Sequence, residues 1–153
     1  MQTNPLWSIL ALALVGCGGS SLTGEWDIRS LDAEIQDADV GVRGPDGRLE
    51  VDDNLDVSLE LSFDDQDDYG YTIDLSGIAE DNGDGDYTLD VEGDIDAGTG
   101  AFDYVGRLSC QVEGEEADCE GDLDATGDAP TYYGYYSETT KVETTLKITF
   151  QRR

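Results

Sequence analysis

The sequence predicts an all-β domain: an antiparallel, up-and-down meander of about eight short-looped strands that closes into a barrel, or a β-sandwich if the sheet splits. From Trp26 to the C-terminus, apolar residues recur at every second position, which is the period of a strand with one buried face. Residues with turn chemistry separate successive runs. The apolar runs lie at 55–63, 71–75, 87–95, 102–112 and 142–150.

Turns are expected where glycine, proline and aspartate cluster between these runs. One stretch, Leu31–Ala38, shows a pattern of a weakly amphipathic helix instead of a strand. The predicted turns are Pro45–Gly47, Asp64–Asp68, Asp81–Gly85 and Ala97–Gly100.

Glycines interrupt the apolar face at Gly93, Gly106 and Gly121. Hairpin register places Gly106 opposite Leu123 and Gly121 opposite Leu108, so small residues face large ones. Glycine also permits the coiling that closes a barrel, and we therefore interpret these positions as sites of curvature.

Cys110 and Cys119 are predicted to form a disulfide across a hairpin. With Gly114-Glu115 at the centre of a two-residue turn, the two cysteines fall opposite each other at a position without ladder hydrogen bonds, where Cα atoms approach closely. A zinc half-site is the rival interpretation, but the sequence has no histidine and no further cysteine pair to complete it.

Residues 1–16 carry no charged side chain and contain an apolar core from Leu6 to Val15, which is the length of a secretory signal rather than a membrane span. The segment Leu14-Val15-Gly16-Cys17 resembles the lipobox of bacterial lipoprotein precursors. In that family the bond before the cysteine is cut and the thiol receives a diacylglycerol. The leader departs from the family in lacking an early Lys or Arg, so a plain signal peptide or an uncleaved anchor is the alternative.

The resemblance implies three segments: a signal peptide at 1–16, a lipidated Cys17 with a short tether at 17–23, and a single β-barrel domain at 24–153. It also implies a location in the cell envelope, with the protein lipid-anchored to a bacterial membrane. Gly18 after the cysteine is compatible with the outer membrane if the cell has two membranes.

The composition excludes several functions. Thirty-six acidic and eight basic residues give a net charge of −28, which repels the phosphates of nucleic acids and anionic lipid headgroups. The absence of histidine removes Ser-His-Asp, Cys-His and histidine–metal sites. Because the carboxylates alternate outward into water, they lack the cleft that general acid–base catalysis requires. We therefore expect no enzymatic activity and no cofactor other than calcium.

Two candidate sites remain. Asp81, Asn82, Asp84 and Asp86 supply oxygen ligands on a glycine-bent loop, which suits calcium, although the order departs from that of an EF-hand and a polar hairpin loop is the alternative. Another acidic loop, at 64–68, has a weaker pattern for a metal site.

The other candidate site is a patch of four tyrosines suited to recognition or to packing over a barrel end. These are Tyr132, Tyr133, Tyr135 and Tyr136.

The segment Gly24-Glu25-Trp26 resembles the start of the first strand in lipocalin-like β-barrels. In that family a late arginine covers the tryptophan at the closed end of the barrel. The resemblance implies that Arg152 or Arg153 has this position. The other lipocalin signatures are absent, so the motif implies an architecture and no ligand.

We therefore expect a monomeric, membrane-anchored envelope lipoprotein with a non-enzymatic β-barrel domain that binds a small apolar ligand or a protein partner. The alternative is a structural or cation-binding acidic surface lipoprotein with a filled core. The aromatic residues expected to point inward favour filling, whereas the inward glycines favour space. These aromatic residues are Phe63, Tyr71, Tyr87, Phe102, Tyr104 and Phe150.

Overall fold

The computed structural model describes residues 21–35, 38–96, 101–126 and 143–153. No helix in these ranges is long and apolar enough to cross a membrane. The strands are β1 (Gly24–Ile35), β2 (Ala38–Asp39), β3 (Arg43–Val51), β4 (Asp56–Asp64), β5 (Gly70–Gly83), β6 (Asp86–Asp96), β7 (Ala101–Glu113), β8 (Glu116–Thr126) and β9 (Glu143–Arg152).

The strands form one antiparallel sheet in the order β2-β1-β3-β4-β5-β6-β7-β8-β9, and β9 returns to pair with β1. The short strand β2 pairs with the end of β1, at Glu34 and Ile35. The other eight strands therefore make a closed meander barrel. The predicted all-β barrel is confirmed, and the sheet does not split into a sandwich.

The inward faces of the barrel strands meet in one continuous hydrophobic cluster. In β4, every second residue from Val57 to Phe63 is buried and the residues between them are exposed, as the alternation predicts. Of the aromatic residues expected inside, Phe63, Tyr87, Tyr104 and Phe150 are buried, Tyr71 is half-buried, and the side chain of Phe102 lies outside the described part.

The helical prediction for Leu31–Ala38 is wrong, because the described residues of this segment lie in β1 and β2. Leu31 and Ala33 are buried, and they pair with Ile148 and Leu146 of β9. The hydrogen bonds of this ladder pair the backbone N–H and C=O groups that a helix would pair within itself. The long-range partner therefore overrides a weak local pattern.

The predicted turn at Pro45–Gly47 is also wrong, since these residues lie within β3. The β3–β4 register shifts between Arg43 and Asp46, so the irregularity accommodates Pro45, which has no N–H to donate. Gly47 serves close packing: a Cβ atom there would overlap with the Glu60 carbonyl of β4.

The predicted turns at Asp64–Asp68 and Asp81–Gly85 are confirmed, whereas the turn at 52–55 was not predicted. Residues 65–69 connect β4 to β5, and residues 84–85 connect β5 to β6. The turn expected at Ala97–Gly100 lies outside the described residues.

The inward glycines allow neighbouring strands to approach closely. Gly106 pairs with Leu123 and Gly121 with Leu108, as the hairpin register predicted. A Cβ atom at each glycine would overlap with a backbone carbonyl of the adjacent strand, so these positions require glycine where the sheet coils. A fourth glycine, on β5, belongs to the same group and was not anticipated from the sequence. The four glycines on β5 to β8 are Gly77, Gly93, Gly106 and Gly121, and Gly47 on β3 makes the same close approach to β4.

We predict that Gly121→Ala lowers the free energy of unfolding by about 2 kcal/mol or more, because the added methyl group forces β7 and β8 apart. Gly70→Ala is the matched control: its Cβ atom would lie 3.5 Å from Asp64 Oδ1, an ordinary contact. Urea unfolding of both variants checks this. Equal stability of the two variants would show that the close approach at Gly121 is not needed.

Candidate functional site

The two ends of the barrel differ. One end carries the turns at 52–55, 84–85 and 114–115 together with the two ends of the described chain, Ser21 and Arg153. Backbone hydrogen bonds join neighbouring turns there, from Val112 N to Gly85 O at 2.9 Å and from Arg152 N to Glu115 O at 2.8 Å. We call this the plugged end. The β4–β5 connection lies at the opposite end, together with the last residues of β6 and β8 and the first residues of β7 and β9.

Trp26 fills the plugged end. Its ring is fully buried, and its Nε1 donates a hydrogen bond of 2.7 Å to the carbonyl oxygen of Leu22, which is itself fully buried. The Arg152 guanidinium carbon lies 4.2 Å from the centroid of the ring, in cation–π geometry. Arg152 also donates to the Thr23 carbonyl at 2.9 Å and to the Ser21 carbonyl.

Arg152 therefore has the position that the lipocalin-like resemblance implied. Arg153 instead pairs outside the barrel with Asp27, at 3.0 Å, and with Glu25, at 3.3 Å. Leu22 belongs to the buried cluster, so the hydrophobic core includes a residue that precedes the predicted boundary at Gly24. Cys17 lies outside the described residues.

The predicted disulfide between Cys110 and Cys119 is present, and the Cα atoms are 4.0 Å apart. The two residues are register partners on β7 and β8, as the turn at Gly114-Glu115 predicts. Gly114 has a φ of 64°, which glycine adopts without strain. Both cysteines are buried inside the barrel, so the bridge is structural and is shielded from solvent.

The predicted calcium loop is a tight hairpin turn. Asp84 and Gly85 both have positive φ, 56° and 84°, as a type I′ turn requires. Asp81 Oδ1 accepts a hydrogen bond from Gly83 N at 2.8 Å, and Asn82 Nδ2 donates to Thr88 at 2.9 Å. Asp86 is the first residue of β6.

Within the described ranges, no three acidic or cysteine side chains converge to hold a metal ion. The local hydrogen bonds are those of a polar hairpin loop, and the calcium site at Asp81, Asn82, Asp84 and Asp86 stays a prediction. The local hydrogen bonds explain the sequence pattern, because aspartate and asparagine side chains cap tight turns.

The second acidic loop, at the opposite end, is also locally satisfied. Asp65 is buried, and Oδ1 accepts hydrogen bonds from Tyr69 N at 2.9 Å and Asp67 N at 2.8 Å. The bond from the Tyr69 amide is the largest contribution that holds the pKa of Asp65 below its usual value. The phenol of Tyr71, whose pKa is raised mainly by burial, donates to Oδ2 at 3.3 Å. This loop is a cap on the β4–β5 connection.

The predicted tyrosine patch, Tyr132, Tyr133, Tyr135 and Tyr136, lies outside the described residues, in the connection between β8 and β9. At the end of the barrel opposite Trp26, Phe63 and Tyr71 stack with ring centroids 4.9 Å apart.

One interior polar atom has no partner. The hydroxyl of Thr144, a residue of β9 that is 3% exposed, is the one buried side-chain polar atom of the described residues without a hydrogen bond. Thr144 pairs with Leu123 on one side and Ile35 on the other. An unsatisfied buried hydroxyl is costly, so this atom marks a position that water or a ligand could satisfy.

The outer face of the barrel carries carboxylates in rows across the strands. Asp74, Asp94 and Asp103 are register neighbours on β5, β6 and β7. A hydrogen bond to Asp103 is the main cause that raises the pKa of Asp94 above its usual value, and the charge of Asp74 adds to it. Further along β6, Asp90 has the opposite environment, because Arg107 Nε donates to it at 2.7 Å and lowers its pKa.

The depressions on the outer face of the described residues include two that cross several strands. The first, of about 660 Å³, is lined by hydroxyl, amide and charged groups, among them Ser30, Gln111 and Lys147. The second, of about 1450 Å³, crosses β5 to β8 and contains Ile78 and Val105. These side chains are 62% and 43% exposed. We call the second depression the outer groove. Sequence reasoning missed it, although Ile78 and Val105 both break the polar alternation of their strands.

No protein-family model matches the chain, and no curated protein matches it. Among solved structures, the chain is similar to one described as "Structure of EF1p2_mFAP2b bound to DFHBI", with 15% sequence identity and a TM-score of 0.46. The similarity covers 86% of this chain and 94% of that chain. It assigns neither a family nor a ligand to this protein, and the barrel fold stands on the strand pairing itself.

We predict that Arg152→Met lowers the free energy of unfolding by about 2–3 kcal/mol, because it removes the cation over Trp26 and two hydrogen bonds to the chain that crosses the plugged end. Arg153→Met, the matched control, removes only exposed ion pairs, which solvent screens, and should lower the stability much less. Trp26 is the one tryptophan after the predicted leader, so its emission follows both variants. A red shift in the Arg153 variant alone would contradict the assignment of Arg152.

We predict that the double variant Cys110→Ala/Cys119→Ala lowers the free energy of unfolding by about 3 kcal/mol. Without the crosslink the unfolded chain regains the conformational entropy that closing a loop of this length removes. A reductant should lower the urea midpoint of the unmodified protein toward that of the variant and leave the variant unchanged. If the reductant shifts both proteins equally, the disulfide is not the source of the difference.

Proposed function

We propose that this protein is a lipid-anchored, non-enzymatic barrel of the bacterial cell envelope that binds a protein partner through its outer surface. The filled interior is the observation that carries the proposal. One continuous cluster of buried side chains extends from Leu22 and Trp26 at the plugged end to Ile95 and Tyr104 toward the opposite end. An eight-stranded barrel is wide enough either for side chains to fill or for one small ligand. The continuous buried cluster favours a filled interior, and we therefore place binding on the outer surface.

The position of Ser21 supports anchoring at the plugged end. Arg152 holds the Ser21 carbonyl beside Trp26, and four peptide bonds separate Ser21 from Cys17. A chain of this length reaches at most about 14 Å. If Cys17 carries the lipid, the plugged end must therefore face the membrane surface, with the β4–β5 connection on the far side of the barrel.

Two further observations are consistent with this proposal. A disulfide is stable in the oxidising compartments that exported proteins enter, and the Cys110–Cys119 bridge fits that setting. The non-enzymatic part rests on a sequence without histidine and on carboxylates that alternate outward into water along the strands.

A carrier of a small apolar ligand is the second candidate, and Thr144 favours it. Its unsatisfied hydroxyl would be explained by a ligand with one polar group in an otherwise apolar interior. The barrel would then need to open at the end opposite Trp26.

The anchor is tested with Cys17→Ser. We expect the unmodified protein to fractionate with membranes and its N-terminal peptide to carry the mass of an acylated cysteine, whereas the variant is released in soluble form. An unmodified Cys17 in the purified protein, or a variant that remains with the membrane, would contradict the lipid anchor.

The filled interior is tested with Thr144→Val, a change of nearly equal volume that removes the hydroxyl. For a filled core we expect a melting temperature equal to or above that of the unmodified protein, because an unsatisfied polar group is lost. Native mass spectrometry of the protein as purified provides the second measurement. A bound small molecule that is lost in the variant would favour the carrier instead.

A further inference from the structure

We infer that the outer groove is the docking surface for a positively charged protein segment that carries aliphatic side chains. The inference rests on the proposed function, namely that the barrel acts through its outer face, and it names the surface and the chemistry of the partner.

The apolar part of the groove consists of Ile78 on β5 and Val105 on β7, on either side of β6. Ile78 pairs with Asp90 of β6, and Val105 pairs with Glu92, so the two side chains lie diagonally across one strand. Both point away from the core, where burial by a partner would remove apolar surface from water. Of the three large hydrophobic side chains that are exposed in the described part of the chain, these two share one depression.

The negative charge of the outer groove indicates a positively charged partner. Arg107 is the single basic residue in its lining, and its guanidinium is already engaged by Asp90 at 2.7 Å. A negative potential of this kind attracts cations and raises the rate at which they associate. Nucleic acids and anionic membranes are repelled by the same field. The carboxylates of the lining are Asp56, Glu80, Asp81, Asp90, Glu92, Asp122 and Asp124.

Closure of the barrel determines the mode of contact. β5, β6, β7 and β8 are each paired on both sides, so their backbone groups are engaged within the barrel. A partner strand therefore cannot add to the sheet at the groove. Recognition must come from side chains: aliphatic groups over Ile78 and Val105, and lysine or arginine over the surrounding carboxylates.

The test uses the full chain as purified and a fluorescently labelled peptide of alternating lysine and leucine. Two control peptides replace leucine by serine or lysine by glutamate. Fluorescence anisotropy should show binding of the lysine–leucine peptide that weakens as NaCl rises from about 50 mM to about 500 mM. It should show much weaker binding of the lysine–serine peptide and no binding of the glutamate peptide.

Matched variants locate the site. Ile78→Ser/Val105→Ser should weaken binding about tenfold, because an aliphatic contact is lost. Tyr69→Ser changes an exposed hydrophobic residue outside the groove and should leave the affinity unchanged. All three positions are exposed, so circular dichroism should show an intact fold for both proteins.

A second pair of variants separates groove charge from total charge. Glu80→Gln/Glu92→Gln/Asp124→Asn should weaken binding more than Asp32→Asn/Glu34→Gln/Glu50→Gln, which removes the same charge outside the groove.

Three outcomes would overturn the inference: no binding of the lysine–leucine peptide, equal binding of the lysine–serine peptide, or equal losses in the two charge variants. The last two would indicate general attraction to an acidic protein. None of these outcomes bears on lipidation of Cys17 or on the filled interior, so failure of the groove is distinguishable from failure of the proposed function.

Discussion

The pairing of β9 with β1 is the constraint on which the rest of the structure depends. It converts a meander of hairpins into a closed barrel and leaves the eight barrel strands without a free edge. The same closure brings Arg152, near the end of the chain, over Trp26, near the start of the domain. A single long-range ladder thus completes the sheet and seals one end of the core.

Closure in turn requires strong coiling, which the inward glycines permit. At Gly77, Gly93, Gly106 and Gly121 the neighbouring strand approaches so closely that a Cβ atom would overlap with its backbone. Two of these glycines, Gly106 and Gly121, lie in the β7–β8 hairpin, which also contains the disulfide. The disulfide links β7 covalently to β8 in the hairpin where these two glycines contribute no side chain to the packing. Backbone proximity and a covalent link therefore act together in this part of the barrel.

Closure also separates charge from apolar surface. The interior takes almost all the large hydrophobic side chains of the described residues, and the carboxylates remain outside in water. Like charges then become neighbours across strands, as the raised pKa of Asp94 beside Asp103 shows. An acidic exterior around a filled core is suited to contacts made at the surface, which is the basis of the function proposed for this protein.

The sequence by itself determined the strand period, the order of the hairpins and the Cys110–Cys119 register, because these depend on neighbours close in the chain. The resemblance to lipocalin-like barrels limited the arginine over Trp26 to Arg152 or Arg153. Only the tertiary structure decided that Arg152 covers Trp26 and that Pro45–Gly47 is part of a strand. It also placed Ile78 and Val105 in one groove. These features depend on which distant strands become neighbours, and local patterns of side chains carry no information about that.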